Sequence, residues 1–276
     1  PGDKVAELTA ITKEILKTNV VANKKLRSYV GKLQNAASLL YTLRPFVSMM
    51  WAALYAPSPE APTACTWTKQ LWHALLWIAA FLAMSGQGPI TRTFTMRSHL
   101  NVGNVITITT DASPWGIGGF LCVNGVPVGW FLDRVHASDE NTLQAKAGDS
   151  TGQQCWEALA TLVALRLWWK FWAEGRCSLE VRSDNMTACV MLKDLKGRSF
   201  GVKTIAAELA LNISQAVYEP DLITHTPGVQ NKVADVLSRR YEPNKQWSLP
   251  AVLKNATECT PPCRDDAWWI YLHPPC

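Results

Sequence analysis

Four acidic residues stand where the local pattern of the sequence changes. Asp111 closes the β-branched run 105–110, Glu157 lies early in a long helical pattern, Asp184 directly follows the run 178–183, and Asp235 sits in a last short helical pattern. Carboxylates are hard oxygen ligands, and a group of them suits Mg²⁺ or Mn²⁺. Two like charges about 4 Å apart cost about 4 kcal/mol at an effective dielectric of about 20, so a cluster of four is unfavourable without cations between them. With two ions about 4 Å apart, one can activate an attacking water while the other stabilises a leaving oxygen. Each acid also has a plain reading. Asp111 could start an Asp-Ala-Ser-Pro turn, Asp184 could cap the following helix, Glu157 could be solvated, and Asp235 could pair with Arg239 four residues on.

The elements that must position these acids are legible as changes of period. Residues 3 to about 84 read as helices. Leu8, Ile11 and Ile15 form one apolar stripe, and Leu26, Val30, Leu33, Ala37 and Leu40 form a second with Lys24, Lys25, Arg27 and Lys32 around it. Pro45 breaks or restarts the helix, and a Pro-rich loop at 56–62 leads to a third helix at 67–84 with Thr66 as N-cap. After Gly86 the runs 105–110, 116–123 and 128–132 are short and β-branched or aromatic, which predicts an antiparallel three-stranded meander. A polar stretch at 133–152 reads as a long loop. Helix at 153–172, strand at 178–183, helices at 185–195 and 203–217, strand at 222–225 and helix at 231–240 follow. The order is that of an α/β fold with a mixed sheet. Beyond Glu242 the Pro-rich tail reads as partly ordered.

Composition sets the frame. With 48% apolar residues among 276, the chain can bury a full core, and one or two globular domains are expected. The first 52 residues hold eight basic and three acidic side chains and so account for the whole net charge of +5. A basic helical front end suits a grip on phosphates, with a solvated helix surface as the plain alternative. Opening on Pro1 with no leader pattern, the sequence reads as a piece of a longer polypeptide. The apolar stretch 71–84 is shorter than the roughly 20 residues of a membrane span, so no membrane partner is expected. Eight cysteines in a chain of this length predict reduced thiols and an intracellular setting, with nucleus and cytoplasmic particle not distinguished. Cys259, Cys263, His273 and Cys276 are zinc-ligand types, but their spacing fits no strong zinc pattern.

The motifs around the four acids resemble those of the RNase H domain of retroelement reverse transcriptases. They are Thr110-Asp111-Ala112-Ser113, Glu157-Ala158-Leu159-Ala160, Arg182-Ser183-Asp184-Asn185, and the stretch from His225-Thr226-Pro227-Gly228 through Asn231 to Ala234-Asp235. The last is the most specific, with a loop His, then Asn, then Ala-Asp on the closing helix. The resemblance covers about 105–242. The preceding Leu26-Arg27-Ser28-Tyr29-Val30-Gly31-Lys32-Leu33 and Leu43-Arg44-Pro45-Phe46 are similar to the thumb or connection region before RNase H in such polyproteins, with ordinary helical-hairpin packing as the alternative.

The resemblance implies an RNase H-like mixed five-stranded sheet with flanking helices, preceded by a small helical region. The expected divisions are a thumb- or connection-like region at 1–86, a linker at 87–104, the RNase H-like domain at 105–242 and a tail at 243–276. It implies two Mg²⁺ or Mn²⁺ ions on Asp111, Glu157, Asp184 and Asp235, with Asp111 bridging them and His225 shuttling a proton or helping product leave. The implied substrate is the RNA strand of an RNA–DNA hybrid, and the implied partner is the polymerase portion of the same polyprotein. Ser113, Asn185 and Asn231 are the implied contacts to nucleic acid near the cut. The basic run Lys193, Lys196, Arg198 and Lys203 could hold the DNA strand, or be solvated loop residues. Trp115, at the start of an apolar strand, reads as core. Two departures from the family stand out. The segment 133–152 is longer than usual, and no Tyr-x-Asp-Asp polymerase motif occurs. A catalytically inactive RNase H-like binding or connection module is the rival reading, and an integrase- or resolvase-like substrate is a third.

Overall fold

The computed structural model describes residues 2–84, 103–173, 177–215 and 222–269. It divides into two compact units, Pro1–Thr93 with Ala210–Gln215 and Trp269–Cys276, and Phe94–Leu209 with Ala216–Trp268.

In the first unit, α1 (Gly2–Leu16), α2 (Asn23–Leu39), α3 (Arg44–Tyr55) and α4 (Thr68–Met84) are joined by two short strands, β1 (Val20–Ala22) and β2 (Cys65–Trp67). The anticipated stripes are the buried ones. Leu8, Ile15, Leu26, Val30, Leu33 and Ala37 lie in the core with Phe46 and Trp77. Pro45 sits in the first turn of α3, where its missing N–H costs nothing. Lys25 pairs with Glu14 and Lys32 with Glu7, so part of the basic surface of α2 is neutralised by α1. Strands β1 and β2 pair antiparallel through Val21 and Thr66, which corrects the reading of Thr66 as an N-cap. Three-residue strands are too short to show a period of two. No helix among the described residues is long and apolar enough to cross a membrane.

The second unit holds the sheet. The strands β3 (Asn104–Ala112), β4 (Gly116–Val123) and β5 (Val126–Arg134) form an antiparallel meander. Its second turn is Asn124-Gly125, both with positive φ (51° and 81°), as a two-residue hairpin demands. Then come α5 (Ala137–Leu143), α6 (Gln153–Leu167), α7 (Lys170–Ala173), β6 (Cys177–Ser183), α8 (Met186–Asp194), α9 (Phe200–Gln215, of which Ala210–Gln215 count with the first unit), β7 (Leu222–His225), α10 (Lys232–Ser238) and β8 (Thr257–Glu258). The sheet order is β7-β6-β3-β4-β5-β8, with β6 parallel to β3 and β7 parallel to β6. This is a mixed RNase H-like sheet with flanking helices, and it has six strands rather than five, the extra one being the two-residue edge β8. Strand β3 is buried from Ile106 to Ala112 because helices cover both faces, so it reads as a nearly continuous β-branched run. Helix α6 is buried at every residue from Cys155 to Ala164, which makes it the core helix of this unit.

Two expectations are corrected here. The polar stretch 133–152 is not an open loop, because it contains α5 and a 3₁₀ turn at Ser150–Gly152. Leu143 anchors α5 in the core, and the fully buried Asp139 carboxylate accepts from the His136 N–H at 2.9 Å. The tail is likewise ordered through 269. Leu253 packs with Trp130 and Leu237, joined by Trp247 and Leu249, and β8 lies along β5 through Gly129 and Thr257. Arg264 is 1% exposed. Its guanidinium donates to Asp139 Oδ2 at 2.8 Å, to Asp133 Oδ2 at 2.6 Å and to the Arg134 carbonyl at 2.9 Å. Charged and Pro-rich residues hide such order from a periodicity reading, since their burial depends on partners far along the chain. Cys259 and Cys263 are free thiols, while His273, Cys276 and most of the expected linker (87–102) lie outside the described residues.

Breaking a buried ion pair on one side strands the other charge, at a cost of about 3–5 kcal/mol. Arg264→Leu is expected to lose that much unfolding free energy in urea melts followed by circular dichroism. The double variant Arg264→Leu/Asp139→Leu should regain most of it. Equal losses in the single and double variants would show that this pair is not what ties the tail down.

Candidate metal centre

The parallel pairing of β3 with β6 places two of the acids side by side. Thr109 is level with Arg182, and two further residues along each strand bring Asp111 level with Asp184. Glu157 comes from the second turn of α6, where Gln153, one turn earlier, donates to Glu157 Oε1 at 3.0 Å and to the Ala112 carbonyl. The Thr110 and Thr161 hydroxyls meet at 3.1 Å and fix α6 against β3. One carboxylate oxygen from each of Asp111, Glu157 and Asp184 lies within 4.8 Å of the others.

Helix α10 closes the other face. Asp111 and Gly118 are cross-strand partners on β3 and β4 and share a face. A Cβ on Gly118 would stand 2.6 Å from Leu237 Cβ and 2.7 Å from Ser238 N, so only glycine admits α10 this close. The approach delivers two donors to Asp111. Ser238 Oγ donates to Oδ2 at 2.6 Å, and Asn231 Nδ2 donates to Oδ1 at 3.3 Å and to the Thr110 carbonyl at 3.3 Å.

The electrostatics are those of a site short of positive charge. Asp111 is pushed up to about 7, chiefly by burial. The Ser238 hydroxyl opposes this, the Asp184 and Asp235 carboxylates add to it, and Arg239 pulls it back. Glu157 is raised well above the ordinary carboxylate range, first by burial and then by Asp111 and Asp184. Glu157 Oε2 and Gln153 Oε1 are buried without a hydrogen-bond partner. An orphaned carboxylate oxygen among crowded acids, all hard oxygen donors, fits a divalent cation.

The remaining expected residues divide. Asp235 is not within the three-acid group. Its Oδ1 accepts from Arg239 Nε at 2.6 Å, the i,i+4 pairing weighed from the sequence, although the carboxylate remains close enough to raise Asp111. His225 is exposed at the end of β7, with Nε2 bonded to the Asp184 carbonyl at 2.9 Å. Asn185 caps α8, its side-chain oxygen accepting from the Thr187 and Ala188 N–H groups. Lys193, Lys196, Arg198 and Lys203 are all exposed, and Trp115 is half-buried rather than core.

Ser113 and Asn231 are corrected as surface contacts, because each is 1% exposed. The Ser113 hydroxyl donates to the Ser238 carbonyl at 2.8 Å and accepts from the Gly116 N–H at 3.1 Å, tying the β3–β4 turn to α10. Gln153 and Ser238 were not anticipated as site residues. Their signal is helical spacing: Gln153 precedes Glu157 by one turn, and Ser238 follows Asn231 by two turns on the same face.

No family model matches the chain, and no curated protein matches it. Among solved structures, the foamy viral protease-reverse transcriptase in complex with RNA/DNA hybrid aligns at 15% identity and TM-score 0.32, covering 88% of this chain and 30% of that one. The same viral protein in complex with dsDNA aligns at 12% identity and TM-score 0.25, covering 84% and 41%. The chain thus spans less than half the length of either. Likeness at this level does not assign the fold, which rests on the strand order itself.

Crowded acids predict a cation-linked pH dependence. Between the unfolded value of about 4 and the folded value of about 7, the native state holds the Asp111 proton and the unfolded chain does not, so stability falls as pH rises. In chelator, Tm is expected to drop from pH 5 to pH 8, and millimolar Mg²⁺ or Mn²⁺ should raise Tm mainly at the alkaline end. A Tm at pH 8 that is indifferent to both ions would remove the metal-centre reading.

Proposed function

We propose that the chain is a ribonuclease H of a retroelement reverse transcriptase, hydrolysing the RNA strand of an RNA–DNA hybrid with two Mg²⁺ or Mn²⁺ ions. The observation that carries the reading is the convergence of Asp111, Glu157 and Asp184 at the carboxyl ends of β3 and β6 in an RNase H-like sheet. The resemblance of the four sequence motifs to those of RNase H supports this substrate, and the polymerase portion of the same polyprotein is the proposed partner.

Asp111, Glu157 and Asp184 would hold the first ion, and Asp111 with Asp235 the second. Bound there, the ions would supply activation of the attacking water and stabilisation of the leaving 3′ oxygen. The protein's own contribution is orientation. Ser238 and Asn231 fix both oxygens of Asp111, and the Gln153 amide fixes one oxygen of Glu157. Loss of such supporting bonds typically costs about 10–100-fold in metal affinity or activity. His225 uses Nε2 on the Asp184 carbonyl, which leaves Nδ1 to exchange a proton at the solvent edge. Lys193, Lys196 and Arg198 offer exposed charge to phosphates, and Asn185 keeps its amide donors for a 2′-hydroxyl after its oxygen caps α8.

One observation favours the rival, a catalytically inactive binding module: Asp235 is engaged by Arg239. Both side chains are more than a third exposed, however, and an exposed pair of this kind is worth at most about 1 kcal/mol, so a cation can displace it.

The test uses labelled RNA–DNA hybrid, duplex DNA and duplex RNA with Mg²⁺, Mn²⁺ or chelator. Cutting is expected of RNA in the hybrid alone, abolished by chelator and by Asp184→Asn. Ser238→Ala should cost about 10–100-fold in activity or metal affinity. Hybrid bound but never cut with either ion would favour the inactive module, and cutting that survives chelator would overturn the metal reading.

A further inference from the structure

A second cleft, built from different residues, lies in the first unit where the end of α1 and the turn after it face the start of α4. Its volume is about 450 Å³, within the range of small-molecule sites, and none of the residues lining it is acidic. Trp67, Thr68, Lys69, Trp72 and His73 come from the end of β2 and the first turns of α4, and Asn19 faces them.

Three features give the cleft its chemistry. The first is aromatic surface. Trp72 is 43% exposed although its neighbours Leu71, Ala74 and Leu75 are buried, and such a side chain costs apolar hydration unless something covers it. The second is positive potential. Helix α4 runs for 17 residues with no acidic residue in its first turn, and the exposed Lys69 stands there, its ammonium 5.6 Å from the Trp67 ring. The third is unmet donors. Thr68 is 3% exposed, yet its Oγ1 has no hydrogen-bond partner, and neither has the buried Trp67 Nε1. The Thr68 N–H, by contrast, is bonded to the Asn19 carbonyl at 2.9 Å, so the backbone of the turn is settled and the side-chain donors are left over. A buried donor without a partner costs free energy that a bound acceptor would recover.

Acceptor-rich, anionic and aromatic-stacking together describe a nucleotide. We propose that this cleft binds one nucleotide, with its phosphate at Lys69 and Thr68 and its base against Trp72. The nucleotide is either free or the terminal residue of a single strand. This goes beyond the ribonuclease reading and does not depend on it, because no residue of the carboxylate cluster takes part.

The experiment is calorimetric titration of the whole chain with AMP, adenosine, inorganic phosphate and a 5′-phosphorylated oligo-dT. AMP is expected to bind about tenfold or more tightly than adenosine or phosphate, because stacking and phosphate capture each contribute at least that factor. Trp72→Ala and Lys69→Gln, both at exposed positions, should each weaken AMP and oligo-dT about tenfold with Tm unchanged. Thr68→Val should do so without altering the charge. AMP binding that the variants weaken but the oligonucleotide does not contest would identify a free-nucleotide site. Oligonucleotide binding that the variants weaken but AMP does not contest would identify a strand-end site. The proposal is overturned if neither ligand binds at millimolar concentration, if phosphate binds as tightly as AMP, or if the variants bind like the parent chain.

Discussion

Three carboxylates within 4.8 Å of one another, two of them almost fully buried, are the constraint around which the second unit is arranged. Each pair of such charges repels by about 4 kcal/mol at an effective dielectric of about 20, and burial adds a desolvation cost. A fold keeps such a cluster only if other interactions over-determine each acid's position. Asp111 is held from α10 by Ser238 and Asn231, Glu157 from its own helix by Gln153, and Asp184 by its place at the end of β6, level with Asp111. The donors oppose burial and repulsion without cancelling them, which is why Asp111 and Glu157, raised first by burial and then by neighbouring acids, still hold protons above the ordinary carboxylate range. What remains is affinity for positive charge.

The same constraint explains where small residues occur. Asp111 can be reached from α10 only because its cross-strand neighbour is Gly118, and at Gly116 a Cβ would stand 2.8 Å from the Ser238 carbonyl. At Gly228 a Cβ would come within 3.2 Å of Asp184 Oδ2, so the loop entering α10 also lies close to the acids. Gly116 and Gly118 trade strand stability for close approach, and what they admit is the helix whose donors fix Asp111.

Much of this was legible in the sequence because the two strands that lead into Asp111 and Asp184 are nine and seven residues long. The run 105–110 is wholly β-branched and 178–183 alternates apolar with polar residues, and the acids fall at their ends. Helical spacing likewise exposed the stripes of α1 and α2. Illegible were features decided by distant partners. Helix α5 is polar and seven residues long, and it is held through Asp139 by an arginine 125 positions later. Ser113 and Asn231 are polar residues beside an acid, a pattern that suggests a surface contact, yet each is turned inward to bond α10 to β3 or to its turn. A polar residue that serves a ligand and one that serves the backbone look alike in sequence. Their hydrogen-bond partners distinguish them: Ser113 is satisfied by backbone, while Glu157 keeps an unpartnered oxygen.

The tail shows how far from the acids their positioning extends. Arg264 binds Asp133 at the end of β5 and Asp139 in α5, the two ends of the connection that leaves the meander. That connection runs on through the 3₁₀ turn at Ser150–Gly152 directly into Gln153 and Glu157. Arg166, about two and a half turns beyond Glu157 on α6, donates to the buried Glu208 at 2.6 Å and to the Trp268 carbonyl at 2.7 Å, with its guanidinium 4.1 Å from the Trp268 ring. The helix carrying Glu157 is therefore tied to the tail at both ends, once through α5 and once directly. Two buried arginines are a costly way to hold a segment unless every donor is placed, and here each guanidinium meets at least one carboxylate and one carbonyl. Residues 243–268 thus belong physically to the sheet unit, although the family resemblance stops near 242. A carboxylate cluster that must hold its oxygens to within a fraction of an ångström depends on that strap as much as on the strand ends that display it.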